Sequence, residues 1–413
     1  MTSGQNIKIS LYLLFIAVFT VVLIAACERR DKSLSPQEIF NSLKGRKITT
    51  NGWADIANDG AGLSYTNPEN FILIDDAAFP AAIDKRAAFT DAIALDSEKF
   101  IIVSGDIDLS DGRISDDDKS YFDQFEEEPP YRRKNADINF RIGSNTVIIG
   151  INNARLMFGG FFIIDKKNVI IRNVTFYDAH GSTRNDTGRE GYEDSKADID
   201  ALVVRGSAEG IWVNHCKFTD GVCSDMARNY NHDGAFDIVK GKYITVSWCE
   251  FTNHDKVMLV ANSDSAENAI AEDRQITLHH NYFHYNTQRM PRTRGTQMHI
   301  YNNYYDNIGA DGNGGSFMGP GWGAQFIVEN NFFGNKAYGE KTIEWFSAPD
   351  EYRAKFFYTG NNRADDDIAW WGRESDSARP WQPAYEYALE PYEGLPESVS
   401  ANAGAALAAN FNR

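Results

Sequence analysis

A ten-residue pattern that returns six times along the 413-residue chain limits the possible folds more than any other feature. Each copy opens with an apolar residue and carries another at its third position. Such alternation with a period of two is typical of a strand with its turn and not of a helix. Self-similarity at a spacing of roughly 20–45 residues indicates a stacked repeat. The copies begin at Val169, Ile211, Ile244, Ile276, Met298 and Phe326.

The eighth position of every copy is aromatic, and this column indicates how the copies pack. If each copy belongs to one rung of a solenoid, parallel backbone pairing stacks the aromatic rings inside the structure. We therefore predict an all-β fold, a right-handed parallel β-helix with irregular N- and C-terminal extensions. Its long open face suits an extended polymer. The aromatic column consists of Phe176, Phe218, Phe251, Phe283, Tyr305 and Phe333.

The net charge narrows the classes of partner. The chain carries 58 acidic and 41 basic residues, for a net charge of −17. This excess repels the phosphates of nucleic acids and anionic lipids, so we expect no nucleic-acid partner and no peripheral association with an anionic membrane. Hydrophobic residues make up 42% of the chain, which is enough for the long core of a solenoid. We expect a monomer.

The first residues have the pattern of an export signal. Lys8 precedes an apolar run from Leu11 to Ala26, which ends in the letters LIAAC at Cys27 and resembles the lipobox of bacterial lipoproteins. A transmembrane anchor is the alternative, but the run is shorter than the roughly 20 residues that a span needs. We predict a signal peptide over residues 1–26, lipid on Cys27 and a tether over residues 27–47. The protein would then be an exported outer-membrane lipoprotein that faces the periplasm or the cell exterior.

The folded body is predicted to be a β-helix domain over residues 48–360. Residues 48–98 have a mixed composition with a short helix within residues 80–94, so the first convincing strand is at residues 99–103. A C-terminal extension over residues 361–413, rich in Trp, Tyr and Pro, is expected to pack on the solenoid as a cap or along its side.

Three cysteines follow Cys27, and two of them share one column. Cys216 and Cys249 occupy the sixth position of neighbouring copies. A disulfide between adjacent rungs is geometrically conceivable, but small apolar residues that fill the stack are the interpretation we favour. The third is Cys223, and the chain has no CxxC pair to support a zinc or redox site.

Acidic residues precede the second and third copies at similar positions, so a stacked fold brings them together. Asp198 and Asp200 come before the second copy, and Asp233 and Asp237 come before the third. Ca²⁺ prefers several oxygen ligands in a tolerant geometry, and a carboxylate cluster is costly without a cation because like charges repel. We predict a calcium site formed by Asp200, Asp233 and Asp237, with Asp198 as an additional ligand.

Basic residues follow the next two copies at a comparable position. Lys256 ends the letters HDK after the third copy, and the letters QRMPRTR at residues 288–294 follow the fourth. Stacking therefore places cationic side chains beside the acidic ones. This combination of acidic and basic side chains indicates a functional site rather than a set of isolated turn residues.

In this order and spacing the segments resemble the calcium-dependent pectate lyases of polysaccharide lyase family one. The letters IWVNHC at Ile211 resemble the family's vWIDHC block, DGAFD at Asp233 its DGxxD pair, and RMPRTR at Arg289 its RxPxxR block. The resemblance covers roughly residues 97–345 and is specific because the motifs occur in the family's order.

The resemblance implies a reaction and a role for each motif. The reaction is β-elimination at C5 of a galacturonate unit in de-esterified homogalacturonan (polygalacturonate), which breaks the C4–O4 bond and leaves a 4,5-unsaturated end. Arg289 corresponds to the base, Lys256 and Arg294 to ligands of the substrate carboxylates, and the aspartates to ligands of Ca²⁺. A guanidinium normally keeps its proton up to about pH 12, so nearby cations and desolvation must ease its loss. An alkaline pH optimum and calcium dependence are expected.

Three other functions stay open. A pectin lyase that acts on methyl-esterified pectin would not need the aspartates. A lyase on another uronate polymer would share the reaction, and a non-catalytic polysaccharide-binding β-helix would not need a base. Hydrolases of pectin require paired carboxylates, for which the chain has no clearly matching motif.

Overall fold

A computed structural model describes residues 41, 51–58, 68–112, 138–179, 199–221, 232–309, 316–334, 341–343, 356–360, 362–364 and 378–405. Helices α1 (Gly52–Asn58), α2 (Ala82–Ala94) and α3 (Leu395–Asn402) lie in the terminal parts of this chain. Strands make up most of the rest, and every pairing between them is parallel.

The strands succeed one another along the chain. The N-terminal ones are β1 (Phe71–Ile74), β2 (Lys99–Asp108), β3 (Asn139–Arg141), β4 (Thr146–Met157), β5 (Gly160–Ile164), β6 (Lys167–Arg172), β7 (Thr175–Tyr177), β8 (Leu202–Arg205) and β9 (Glu209–Asn214). The central ones are β10 (Lys217–Thr219), β11 (Phe236–Ile238), β12 (Gly241–Ser247), β13 (Glu250–Lys256), β14 (Leu259–Val260), β15 (Arg274–His279), β16 (Tyr282–Gln288) and β17 (Arg292–Thr293). The C-terminal ones are β18 (Gln297–Tyr301), β19 (Tyr304–Asp306), β20 (Ser316–Pro320), β21 (Gln325–Glu329), β22 (Phe332–Phe333), β23 (Lys341–Ile343), β24 (Phe356–Gly360) and β25 (Arg363–Ala364).

Each turn of the chain contributes one strand to each of three faces. Face A contains β5, β8, β11, β14, β17 and β20. Face B contains β6, β9, β12, β15, β18 and β21. Face C contains β7, β10, β13, β16, β19 and β22. The prediction of a parallel β-helix is confirmed.

Each copy of the ten-residue pattern contains two strands, one on face B and one on face C. The bend between them falls at the fifth position, where the backbone is left-handed with φ between 49° and 56°. This conformation is rare for bulky residues, yet Trp248 adopts it and stacks on His280 of the next rung at 4.3 Å between ring centroids. The prediction of a strand and a turn is thus extended by a second strand, which carries the aromatic residue.

The aromatic residues at the eighth position form the predicted column inside the solenoid. Neighbouring ring centroids lie 4.6–5.0 Å apart and the rings are nearly parallel. This distance matches the spacing of about 4.8 Å between paired strands. Backbone pairing and aromatic packing therefore favour the same register.

The sixth position forms a second internal column. Cys216 and Cys249 are buried and not bonded to each other, and the backbone N–H of Cys216 lies 3.4 Å from Sγ of Cys249. Their role as small fillers is confirmed. In the following rungs asparagines replace them, and the backbone N–H of Asn281 donates to Oδ1 of Asn303 at 2.8 Å. Asn303 in turn donates to Asn331, so an asparagine ladder continues the column.

The N-terminal end differs from the prediction in one respect. Strand β1 pairs in parallel with β2, so the solenoid begins one rung before residue 99. The predicted helix within residues 80–94 is confirmed as α2, whose Phe89 and Ile93 are fully buried. This helix covers the apolar end of the stack.

The described C-terminal residues lie along the side of the solenoid. We call residues 378–394 the strap; it crosses face B, where Nε1 of Trp381 donates to the carbonyl of Gln325. Helix α3 packs its Leu395 and Val399 against face C. The chain beyond the last strands therefore covers two faces.

Several predicted features lie outside the described residues: the signal segment with Cys27, the tether and Cys223. Among the described helices, none has the length and apolar character required to cross a membrane.

Candidate active site

Four successive rungs of the solenoid carry the predicted site residues. Asp200 lies two residues before β8, and residues 233–237 lead into β11 on the next rung. Lys256 ends β13 and pairs with Gly234, while the carbonyl of Arg289 accepts from the N–H of Met258. The backbone ladder thus orders the residues from acidic to basic along the solenoid axis.

Two of the aspartates converge over Gly234. Oδ1 of Asp200 accepts from the N–H of Gly234 at 2.6 Å, and Oδ1 of Asp237 accepts from the N–H of Leu259 at 2.9 Å. A Cβ at position 234 would lie 2.5 Å from Oδ1 of Asp237 and 2.7 Å from Oδ1 of Asp200. A side chain at position 234 would push both carboxylates away, so glycine leaves a cradle here that is lined by two carboxylates.

The electrostatics of this cradle oppose negative charge. Burial and the charges of Asp237 and Asp233 raise the pKa of Asp200 well above its ordinary value. Burial also raises the pKa of Asp237 to about 7, although the charges of Arg289 and Lys256 act in the opposite direction. Two carboxylates in such a place are ionised together only at a cost, and a nearby cation reduces that cost.

The third aspartate faces the basic half of the site. Oδ1 of Asp233 accepts from Nζ of Lys256 at 3.0 Å, and the side chain of Lys256 is 8% exposed. Within the described residues no group of three or more His, Cys, Asp or Glu side chains has the arrangement of a metal centre. In this conformation Asp233 is turned towards the lysine, and only Asp200 and Asp237 share the cradle.

Arg289 follows the end of β16 in a left-handed backbone conformation, with φ of 63°. Its side chain is half-buried, and its Nε has no hydrogen-bond partner among the described residues. The charge of Arg289 acts on Asp237. The guanidinium therefore lies near the acidic cradle and keeps a buried nitrogen available.

The other two arginines of the motif have different surroundings. Nε of Arg294 donates to Oδ1 of Asp264 at 2.8 Å, and this arginine is buried. Arg292 is half-buried in β17, where it pairs with Leu259. Asp198, the additional predicted calcium ligand, lies outside the described residues.

Four buried side chains beneath the site were not predicted as site residues. Asp178, Asp220, His232 and His254 form hydrogen-bonded pairs next to Asp233. Their signal in the sequence is weak: Asp178 and Asp220 each close one copy of the pattern, where an aspartate also suits a turn.

The fold and the row of opposed charges define a class, the parallel β-helix proteins with an acidic and basic site on one side of the solenoid. The chain belongs to the pectate lyase family, because residues 46–390 match the family model described as pectate lyase. The resemblance drawn from the sequence is confirmed.

Curated relatives agree with this membership. The chain is 41% identical over 178 residues to a pectate trisaccharide-lyase of Thermotoga maritima, which is 42% of this chain and 44% of the relative. It is 35% identical over 184 residues to a pectate lyase of Bacillus subtilis, or 42% and 43% of the two chains. It is 30% identical over 275 residues to pectate lyase D of Dickeya chrysanthemi, or 64% of each. The matches thus span about half the length of the relatives.

Solved structures share the fold. A polygalacturonate lyase fused with a self-assembling amphipathic peptide matches with a TM-score of 0.66 at 22% identity, over 89% of this chain and 100% of that one. A pectate lyase from Acidovorax avenae subsp. citrulli matches with a TM-score of 0.59 at 19% identity, over 88% and 95%. At these identities the likeness establishes the parallel β-helix.

Proposed function

We propose that the protein is a calcium-dependent pectate lyase that cleaves de-esterified homogalacturonan by β-elimination. The observation that carries the proposal is the order of charges on successive rungs: two half-buried carboxylates over Gly234, then Lys256, then Arg289. An elimination next to a carboxylate needs cations around that carboxylate and a base at the adjacent carbon. This site offers both within one row.

The residues fit a calcium ion. Asp200 and Asp237 direct carboxylates into a cradle that a Cβ would fill, and their raised pKa values reflect the cost of placing them together. Hard carboxylate oxygens are the ligands that Ca²⁺ prefers. Asp200 and Asp237 would hold the ion, with Asp233 as a third ligand and Asp198 as an additional one. When bound, Ca²⁺ neutralises the uronate carboxylate and so makes the neighbouring C5–H more acidic.

Arg289 is the proposed base. At alkaline pH its guanidinium first releases a proton to solvent; the neutral guanidine then takes the proton from C5, the C5–H electron pair forms the C4–C5 double bond, the C4–O4 bond breaks, and the leaving oxygen takes a proton from water. Lys256 binds the carboxylate of the reacting sugar and stabilises the charge that develops on it. Arg294 binds a second substrate carboxylate, which takes the place of Asp264 on its guanidinium.

The test follows absorbance at the band of the unsaturated uronate, with polygalacturonate at alkaline pH. We expect product with calcium and none after chelation. Activity that persists in excess chelator, or that is greatest below neutral pH, would contradict the mechanism. Product from highly esterified pectin alone indicates a pectin lyase, and product from another uronate polymer alone indicates a different substrate. Binding without product from any of them indicates a non-catalytic protein.

We also propose that the enzyme is exported and tethered by lipid on Cys27. The apolar run and the letters LIAAC before the folded body support this. Mass spectrometry of the N-terminal peptide from membranes checks it, and an unmodified Cys27 contradicts it.

A further inference from the structure

Two buried histidine–aspartate hydrogen bonds lie side by side next to the proposed site and form one polar network, in which Nδ1 of His232 is 3.7 Å from Oδ2 of Asp220. Nε2 of His232 lies 2.7 Å from Oδ1 of Asp178, and the two residues are 7% and 1% exposed. Nδ1 of His254 lies 2.6 Å from Oδ1 of Asp220. Asp178 and Asp220 stand in one column, because each directly follows a strand of face C. The network therefore crosses the same rungs as the site above it.

His254 connects this network to the site. Its Nε2 lies 3.0 Å from the carbonyl oxygen of Asp233 and 3.1 Å from that of Lys256. Carbonyl oxygens only accept hydrogen bonds, so Nε2 carries a proton and donates to both. One ring nitrogen thereby joins the backbones of two neighbouring rungs at the two residues whose side chains face each other, 3.0 Å apart.

Backbone hydrogen bonds join these two rungs only from Ala235 onward: the N–H of Ala235 donates to the carbonyl of Lys256 at 3.2 Å and that of Phe236 to the carbonyl of Val257 at 2.9 Å, whereas the carbonyl of Asp233 accepts from His254. The pairing of Gly234 with Lys256 is an isolated bridge, because β13 ends at Lys256 and β11 begins only at Phe236. The ring of His254 is 96% buried and cannot be replaced by solvent without opening the rung. The orientation of the ring is set from its other side by Asp220.

We propose that His254, oriented by Asp220, is a positioning residue that sets the distance between Lys256 and Asp233. The inference rests on the proposed function, in which Lys256 binds the substrate carboxylate and Asp233 is a ligand of calcium. A displacement of about 1 Å in a catalytic constellation can cost about 100-fold in rate. His254 would affect the reaction through Lys256 and Asp233, without contacting the substrate itself.

The test compares two substitutions in the full-length chain. In His254→Gln the side-chain amide nitrogen reaches the place of Nε2 and donates to the two carbonyls. In His254→Asn it reaches only the place of Nδ1. We expect kcat on polygalacturonate to fall about 10- to 100-fold in His254→Asn with little change in KM, and to recover to within about threefold of the wild type in His254→Gln. His284→Asn, on face C, is the control and should leave kcat unchanged.

A merely structural role would lower the thermal midpoint of both variants and leave kcat per folded molecule the same. Equal kcat in His254→Asn and His254→Gln, or a wild-type kcat in His254→Asn, overturns the proposal. If His254→Asn does not fold, Asp220→Ala takes its place and Asp220→Asn, which keeps an acceptor for Nδ1, should restore kcat. Failure of Asp220→Asn to do so contradicts the role.

The proposed function can fail independently of the positioning role. The sign of that failure would be a wild-type protein that releases no unsaturated product. Calcium titration by calorimetry then decides the positioning role. A calcium dissociation constant at least about tenfold weaker in His254→Asn than in His254→Gln supports it, and equal constants overturn it.

Discussion

Gly234 and the carboxylates beside it show how one small residue sets the chemistry of the cradle. The absence of a Cβ lets Asp200 and Asp237 approach from two rungs, and burial then raises the pKa of both. Each carboxylate also accepts a backbone N–H, which keeps it in place. At the residue scale the fold therefore holds two mutually repelling carboxylates together, in position for the proposed cation.

Asp237→Asn separates the charge from the hydrogen bond, because the amide oxygen still accepts from Leu259. The raised pKa of Asp237, about 7, means that the folded protein loses stability as pH rises from about 4 towards 7. Without calcium, we expect the variant to gain on the order of 1–2 kcal/mol in unfolding free energy at pH 8 and nothing below about pH 4. Denaturant melts at both pH values measure this, and a loss at pH 8 contradicts it. Calcium affinity should fall at least tenfold, or about 1.4 kcal/mol.

Arg289→Lys keeps a positive charge near Asp237 and removes the guanidinium. We expect kcat to fall by about 100- to 10,000-fold, the usual range for a lost general base. Calcium affinity and the thermal midpoint should stay close to those of the wild type. The absorbance assay measures the rate, and a variant with wild-type kcat removes Arg289 from the role of base.

At the scale of elements, Glu329 fastens the strap to face B. It is 2% exposed and accepts hydrogen bonds from His299 of β18 and from Tyr387 and Arg379 of the strap, at 2.7–3.0 Å. Burial alone would raise the pKa of Glu329, but the hydrogen bonds from His299 and Tyr387 outweigh it and lower the pKa. The strap is therefore held by a buried charge with donors on both sides.

Glu329→Gln tests this fastening. We expect a loss of about 2–4 kcal/mol in unfolding free energy at pH 7, because the donors lose a charged acceptor. A lowered carboxyl pKa contributes stability above its unfolded value of about 4.5 and loses it as pH falls, so the difference between variant and wild type should shrink below that pH. Denaturant melts measure it. Glu386→Gln, at an exposed position of the same strap, is the control and should change stability by less than about 0.5 kcal/mol.

Elements were predictable from the sequence where they repeat. The pairing of Phe218 with Phe251 followed from the pattern because every copy has the same length from first apolar residue to aromatic. Strand β1 was missed, since four residues without a second copy carry no periodic signal. The fastening by Glu329 was missed because its partners come from a distant segment whose approach depends on tertiary packing.

In the candidate site, too, the positions set by the repeat were predictable and the side-chain contacts were not. Asp200, Asp233 and Lys256 were expected to be neighbours because successive rungs repeat their phase. The pairing of Asp233 with Lys256 and that of Arg294 with Asp264 were not expected, because side-chain orientation depends on contacts that no spacing encodes.

At the scale of the whole molecule, calcium that binds only the folded site should stabilise the entire solenoid. At a concentration 100 times the dissociation constant, the gain is about 2.7 kcal/mol, which corresponds to a rise of roughly 3–5 °C in the thermal midpoint. Scanning calorimetry with and without calcium measures it, and Asp237→Asn is the control, whose midpoint should rise by no more than about half as much. An unchanged midpoint in the wild type would contradict binding at this site.

The one-rung spacing of the site also constrains how this chain can change over evolution. A whole turn inserted near either end would only lengthen the stack, since each turn pairs solely with its neighbours. The same insertion between Asp237 and Lys256 would leave the backbone equally well paired. It would, however, move the acidic residues of the site away from the basic ones by about 4.8 Å. We therefore expect the number of turns to vary among descendants at the two ends and to stay constant through the four rungs that share the site.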